Sequence, residues 1–104
     1  MITQHYYRSL PCFILLYPEW LKRNISVFAW QRIPLDSNRE IENTFAIPPD
    51  WVIEILSPEQ SSTRVIDNIL FCLNAGTELG WLIDPQELII MIFRPHQQPK
   101  IKQN

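Results

Sequence analysis

The chain has few cysteines, few histidines and no excess of positive charge, and each of these is required by some class of protein. Its two cysteines, Cys12 and Cys72, are too few for a disulfide framework, and both stand among apolar residues, where cysteine serves as a small core residue. His5 and His96 are isolated and lack metal-ligand spacing. The formal net charge of −2 gives no overall basic field for nonspecific binding to nucleic acid, although a local basic groove stays possible. We therefore expect a reducing compartment and no histidine-based metal site.

Long apolar runs are also missing. The run Cys12–Tyr17 lies between Pro11 and Pro18. It is shorter than the roughly 20 residues of a membrane span and the roughly 7 residues of a secretory apolar region. We predict no membrane segment and no signal peptide, and we expect a cytoplasmic protein. With 104 residues, of which 46% are hydrophobic, the chain fits one small globular domain with a modest core.

Hydrophobic patterning predicts mainly strands and one helix. The helix begins after Ser61 or Ser62 as N-cap, continues with apolar residues at helical spacing, and ends at Gly76, a residue suited to the C′ position. The strands are predicted at Phe13–Tyr17, Ile25–Trp30, Trp51–Leu56, Gly80–Ile83 and Leu88–Phe93. The order β-β-β-α-β-β indicates an α/β or α+β fold, a sheet with a helix on one face.

Polar segments separate or follow these elements. Residues Pro34–Asn43 form a predicted loop and Asp84–Glu87 a predicted turn, whereas Pro95–Asn104 is predicted to be a frayed tail. Trp30, Trp51 and Trp81 are interpreted as core or sheet-surface packing. Asp50, at the entrance to the third strand, is interpreted as a cap rather than a catalytic group.

Glu54 is the most informative residue of the chain. It is the lone carboxylate of the apolar strand Trp51–Leu56, which lies between Pro48-Pro49 and Pro58. A carboxylate in such a strand is costly to bury unless it has a partner, a metal ion or a water-filled cleft. Glu54 is therefore the first candidate for a functional residue, and the structural alternative is an ion pair with Arg64.

Three segments carry a resemblance to a known family. They read ISVFAWQRIP, PPDWVIEILSPEQSSTRV and GTELGWLIDP, and they span about Ile25 to Phe93. Together they resemble the Uma-type putative restriction endonuclease family, which is common in cyanobacteria and part of the PD-(D/E)XK nuclease superfamily. The resemblance implies a restriction-endonuclease-like mixed β-sheet with flanking helices and hydrolysis of DNA phosphodiester bonds with a divalent metal.

The resemblance also implies a set of site residues. Glu54 matches the second acidic residue of the motif, whereas Asn24 stands where the family has a metal-binding aspartate. Asn68 stands where the family supplies lysine, and Arg64, one turn earlier, is a replacement cation for phosphate. We expect Asn24 and Glu54 on neighbouring strands, with their side chains converging beside Arg64 and Asn68.

The expected cofactor is Mg²⁺ or Mn²⁺. Oxygen ligands from Glu54 and Asn24 would hold it, and it would polarise the phosphate and activate the attacking water. An uncharged amide in place of a carboxylate makes this binding weak, unless Asp50 or Glu59 supplies a second charge. DNA is the expected partner.

The resemblance implies more chain before the first motif than this sequence has. We therefore divide the chain into a divergent segment 1–23, an endonuclease-like core 24–94 and a flexible tail 95–104, and the sequence looks like an N-terminally truncated copy. A sheet without its early elements would expose an unpaired edge and an apolar face, which favours a homodimer.

Two functions remain open from the sequence. The chain is either a metal-dependent endonuclease that retains activity through Glu54, or a catalytically silent relative that acts as a binding or assembly module or persists as a gene remnant. In the structural alternative, Arg64 and Asn68 form only a solvated helix face, and Asn24 is an inert edge residue.

Overall fold

One mixed sheet with a helix on one face forms the protein. The computed structural model describes the backbone of residues 5–9 and 12–16, and residues 24–41 and 47–103 in full. The elements are β1 (His5–Ser9), β2 (Cys12–Leu16), β3 (Asn24–Ala29), a 3-10 turn (Trp30–Arg32), β4 (Trp51–Ile55), α1 (Ser62–Ala75), β5 (Leu79–Asp84), β6 (Ile89–Phe93) and β7 (Lys100–Gln103). This confirms the predicted fold class.

The seven strands lie side by side in chain order. Strands β4 and β5 are parallel, and every other neighbouring pair is antiparallel. Two parallel neighbours require a crossover connection, which α1 supplies. The helix therefore lies over the parallel pair β4–β5.

Both ends of α1 have the predicted caps. At the N-cap, Ser61 Oγ accepts a hydrogen bond from the backbone N–H of Arg64 at 3.4 Å. At the C-terminus, Gly76 has φ 122°, a conformation that L side chains rarely adopt, and its N–H donates to the carbonyls of Cys72 and Leu73. The structure therefore confirms the predicted helix, including both of its capping residues.

The main core lies between α1 and one face of the sheet. Its buried members are Val52, Val65, Ile69, Leu82 and Phe93. Half-buried Cys72 packs against this cluster, as expected for a small core cysteine, while the side chain of Cys12 lies outside the described residues. The face of β4 that carries Val52 is therefore the face that looks toward the helix.

The opposite face of the sheet is apolar and half-buried. Trp51 and Trp81 meet edge to face there, with ring centroids 4.8 Å apart. Ile53, Ile83 and Ile90 share this face by strand alternation and register, and all three are half-buried. Within residues 24–41 and 47–103, no helix covers this face. The tryptophans pack on the sheet surface, as predicted.

A second cluster and a polar anchor hold the start of β4. The buried members of this second cluster are Phe28 and Ile33, and Trp30, Ile41 and Ile47 pack against them. Asp50 accepts a hydrogen bond from the backbone N–H of Ala29 at 2.6 Å and forms an ion pair with Arg32, Nη1 to Oδ1 at 2.8 Å. Asp50 is thus a structural anchor, consistent with the non-catalytic interpretation.

Two strands are absent from the sequence prediction. No sequence pattern predicted β1. The prediction of a frayed tail is wrong for Lys100–Gln103, because these residues form β7 and pair with β6. All four residues of β7 are exposed, and two are lysines, so the segment lacks the apolar alternation by which strands are recognised. Charged residues of this kind are typical of edge strands, where they discourage pairing with other chains.

The turns and loops agree with the sequence where they are described. Asp84 Oδ1 accepts hydrogen bonds from the backbone N–H groups of Gln86 and Glu87, at 3.0 and 3.2 Å, which fixes the β5–β6 turn. Residues 34–41 form a polar loop, and the last part of the predicted loop lies outside the described residues. In the described part of the chain, no helix is long and apolar enough to cross a membrane.

Gly80 sets how closely the helix approaches the sheet. A Cβ atom added there would lie 2.5 Å from Ile69 Cγ2, and Ile69 is fully buried. We predict that Gly80→Ala lowers the free energy of unfolding by about 1–3 kcal/mol, because the fully packed site cannot absorb a methyl group. Urea unfolding measures this loss. The control Ser62→Ala, on the exposed helix surface, should change stability by less than about 0.5 kcal/mol.

Candidate active site

Glu54 lies at the junction between the two parts of the sheet. It is only 4% exposed and is paired with Asn24 of β3 on one side and with Leu82 of β5 on the other. Strand alternation places its side chain on the same face as Val52, toward α1. A buried carboxylate at this position needs polar partners, because an uncompensated charge in an apolar environment is costly.

Asn24 supplies one of those partners. Its Nδ2 donates a hydrogen bond to Glu54 Oε1 at 2.6 Å. Its Oδ1 accepts a hydrogen bond from the hydroxyl of Ser26 at 3.3 Å, and Ser26 is itself buried. These two bonds form the chain Ser26–Asn24–Glu54, in which the Asn24 nitrogen faces the carboxylate and the Asn24 oxygen faces the Ser26 hydroxyl.

A cleft opens beside this hydrogen-bonded chain, between the end of β4 and the first turns of α1. Its volume is about 390 Å³, and we call it the Glu54 cleft. It is lined by Glu54, Glu59, Gln60, Ser61, Arg64, Val65 and Asn68. Arg64 and Asn68 are one helical turn apart, so both reach the same side of the helix.

The expected geometry is present. Glu54, Arg64 and Asn68 line one cleft, and Asn24 contacts Glu54 from the neighbouring strand. Of the two alternative carboxylates, Glu59 lines the cleft, whereas Asp50 is engaged by Arg32 at the other end of β4. The catalytic and metal-binding roles of these residues stay predictions.

Sequence reasoning missed Ser26 and Gln60. Ser26 could have been found from alternation, since it shares a strand face with Asn24. Gln60 Oε1 accepts a hydrogen bond from the backbone N–H of Ser57 at 3.0 Å, so it fixes the loop that leads into the helix. No short motif marks that role.

The described donors do not fit a resident divalent cation. Mg²⁺ takes oxygen ligands, usually from one or two carboxylates, and the atom of Asn24 nearest to Glu54 is a nitrogen that donates a proton. In residues 24–41 and 47–103, no group of three histidine, cysteine, aspartate or glutamate residues could hold a metal ion. Two facing carboxylates repel each other unless a proton or a cation lies between them, whereas the uncharged amide of Asn24 donates a hydrogen bond to Glu54.

The difference between an amide–carboxylate pair and two facing carboxylates can be measured as metal-dependent stability. We predict that Asn24→Asp lowers the free energy of unfolding by about 2 kcal/mol or more in EDTA at neutral pH, because it removes a charge-assisted hydrogen bond and places two carboxylates together. Millimolar Mg²⁺ should restore stability by binding the folded state. Thermal unfolding with and without Mg²⁺ is the measurement.

Asn68→Asp is the matched control, because it introduces the same charge at an exposed position of the same cleft. It should change stability by less than about 0.5 kcal/mol. If Asn24→Asp were as stable as the parent in EDTA, the Asn24–Glu54 contact would not hold the carboxylate in place.

Comparisons with known proteins identify the family and support the fold. The family model described as "Uma2: Putative restriction endonuclease" matches residues 16–104. The chain is similar to the crystal structure of a putative nuclease belonging to DUF820 from Anabaena variabilis ATCC 29413, with 50% sequence identity and a TM-score of 0.76. That match covers 86% of this chain and 48% of the other, so the chain spans about half the length of this relative.

No curated protein matches the chain. The family match nevertheless extends over most of the sequence and includes the site residues and β7. The chain belongs to the Uma2 family of putative restriction endonucleases.

Proposed function

We propose that this chain is a nuclease-fold protein that binds DNA in the Glu54 cleft and has lost efficient hydrolysis of the phosphodiester bond. The observation that carries the proposal is the hydrogen bond from Asn24 Nδ2 to Glu54 Oε1 at 2.6 Å. An amide in this position donates a hydrogen bond to the buried carboxylate and adds no negative charge that would attract a metal ion. The Mg²⁺ or Mn²⁺ affinity of the cleft is therefore expected to be weak.

The argument for lost hydrolysis is electrostatic. Cleavage of a phosphodiester builds up negative charge, which cations in the site must stabilise. At the family's aspartate and lysine positions this chain has Asn24 and Asn68, and neither side chain carries charge. Arg64 retains one cation in the cleft, but its guanidinium stays protonated and cannot exchange a proton with water.

The argument for retained binding rests on the same cleft. Arg64, Asn68 and Ser61 are exposed and offer a guanidinium, an amide and a hydroxyl. These groups are common donors to phosphate oxygens in protein–DNA interfaces. Glu54 and Glu59 in the same cleft oppose a phosphate, and the net charge of −2 adds no attraction. Binding should therefore be modest and strongest at low salt.

Repair of the two lost residues tests this proposal. We predict that the unmodified chain does not nick plasmid DNA in Mg²⁺, whereas Asn24→Asp combined with Asn68→Lys does. The aspartate restores charge beside Glu54, and the lysine restores a cation beside the phosphate. Plasmid nicking by folded protein, followed on agarose gels, is the measurement.

Glu54→Gln added to the double variant is the control and should abolish the gain, since it removes the remaining family carboxylate. Strong nicking by the unmodified chain would overturn the claim of lost hydrolysis. If the repaired protein bound DNA and did not cut it, the loss of activity would have a cause outside these two positions.

A second candidate function is assembly through the sheet face opposite α1. No helix of the described residues covers this face, which we call the uncovered face. That face carries the Trp51–Trp81 pair with Ile53, Ile83 and Ile90, all half-buried. An apolar face of this kind favours a face-to-face homodimer. Exposed Lys100 and Lys102 lie on the same face at its β7 margin, opposite Ile92 and Ile90. They disfavour edge-to-edge pairing through β7 and centre the apolar area on the Trp51–Trp81 pair.

We predict that the chain is dimeric in size-exclusion chromatography with light scattering and that Ile90→Lys makes it monomeric. The substitution places a charge on the uncovered face, whose desolvation would oppose association. Ile101→Lys is the matched control, because Ile101 is 56% exposed on the other side of the sheet, in the register of Met91. A monomeric parent, or equal effects of the two substitutions, would contradict this candidate.

A further inference from the structure

An exposed phenylalanine continues the row of cleft residues along α1. Among the large apolar side chains described by the structure, Phe71 is the most exposed, at 73%. It follows Asn68 by three residues and Arg64 by seven, and both spacings place side chains on one side of a helix. The row Arg64–Asn68–Phe71, which we call the α1 edge, therefore begins in the Glu54 cleft and leaves it at Phe71.

Packing within the described chain does not account for Phe71. The buried positions of the helix are Val65 and Ile69, and Cys72 and Leu73 complete its packed side. Phe71 belongs to neither core cluster. Ala75, the next residue along the α1 edge, is small and exposed, which leaves one side of the ring open.

We infer that Phe71 is a stacking platform for an unpaired base of the nucleic acid whose phosphate Arg64 contacts, an inference that rests on the proposed function. Aromatic rings beside a phosphate contact are how proteins bind single-stranded nucleic acid without reading its sequence. Along the helix axis, Phe71 lies about 4.5 Å beyond Asn68 and about 10 Å beyond Arg64. A strand held at Arg64 therefore passes its adjacent bases over the ring.

The charges near Arg64 limit what phosphate contacts can contribute to binding. In the described part of the Glu54 cleft, Arg64 is the one cation, and Glu54 and Glu59 oppose it. Asp67, one turn before Phe71, is a further acid on the exposed side of the helix. Phosphate contacts can therefore supply only a small part of the affinity, whereas stacking on a ring requires no charge.

The inference predicts a preference for unpaired bases. In a duplex the bases are stacked on each other, so only a single strand, a frayed end or an extruded base can reach Phe71. The protein should bind a short single-stranded oligonucleotide more tightly than the blunt duplex of the same sequence.

Fluorescence anisotropy with a labelled oligothymidylate at low salt tests the affinity, and an oligonucleotide that contains 2-aminopurine reports stacking through quenching. We predict that Phe71→Ala weakens binding about fivefold or more and removes the quenching. Phe71→Trp should retain both, because it keeps an aromatic face. Phe71→Leu should behave like the alanine variant, although its side chain is still large and apolar.

Leu88→Ala is the matched control, since Leu88 is a large apolar residue that is 63% exposed and lies in the β5–β6 turn rather than on α1. It should bind like the parent.

Arg64→Gln should also weaken binding, and this variant separates the two proposals. If Arg64→Gln lost binding while Phe71→Ala bound like the parent, the stacking role alone would be overturned. The stacking role would also be overturned if Phe71→Leu bound with the affinity of the parent. A parent that binds neither oligonucleotide would overturn this inference together with the proposed function.

Discussion

The hydrogen bond between Asn24 and Glu54 gives a polar partner to the one buried carboxylate among the described residues. Glu54 is buried in β4, the strand that has an antiparallel neighbour on one side and a parallel neighbour on the other. A carboxylate buried there needs polar partners, and the amide of Asn24 contributes one at 2.6 Å. That contact joins β3 to β4 beside the Glu54 cleft.

The same contact bears on how the site would interact with a metal ion. Two facing carboxylates repel each other unless a proton or a cation lies between them. The amide of Asn24 carries no charge and donates a hydrogen bond to Glu54, so this pair joins β3 to β4 without such repulsion.

The helix α1 links this site to the rest of the molecule. It connects the two parallel strands, and its approach to the sheet depends on Gly80, where any side chain would meet Ile69. Its buried side holds the core, and the side beside the cleft presents Arg64, Asn68 and then Phe71. One amphipathic helix thus provides packing on one side and the candidate nucleic-acid contacts on the other.

Much of the fold was predictable because its signals are local. The helix has a serine N-cap and a glycine at its end, and β4, β5 and β6 are short apolar segments bounded by turn residues. The strand β7 was not predictable, because an exposed edge strand shares its composition with a polar tail.

The sequence by itself pointed to the candidate site residues, because the motifs around Glu54 carry the family resemblance in which Asn24 and Asn68 occupy candidate positions. It also determined the spacing that places Arg64, Asn68 and Phe71 on one side of α1, since helical periodicity is a property of the local chain. Only the tertiary structure decided that the nitrogen of Asn24 faces Glu54, because that contact depends on the register of β3 against β4 and on a carboxylate that accepts the hydrogen bond. Register and amide orientation arise from contacts between segments far apart in the chain, and no single segment encodes them.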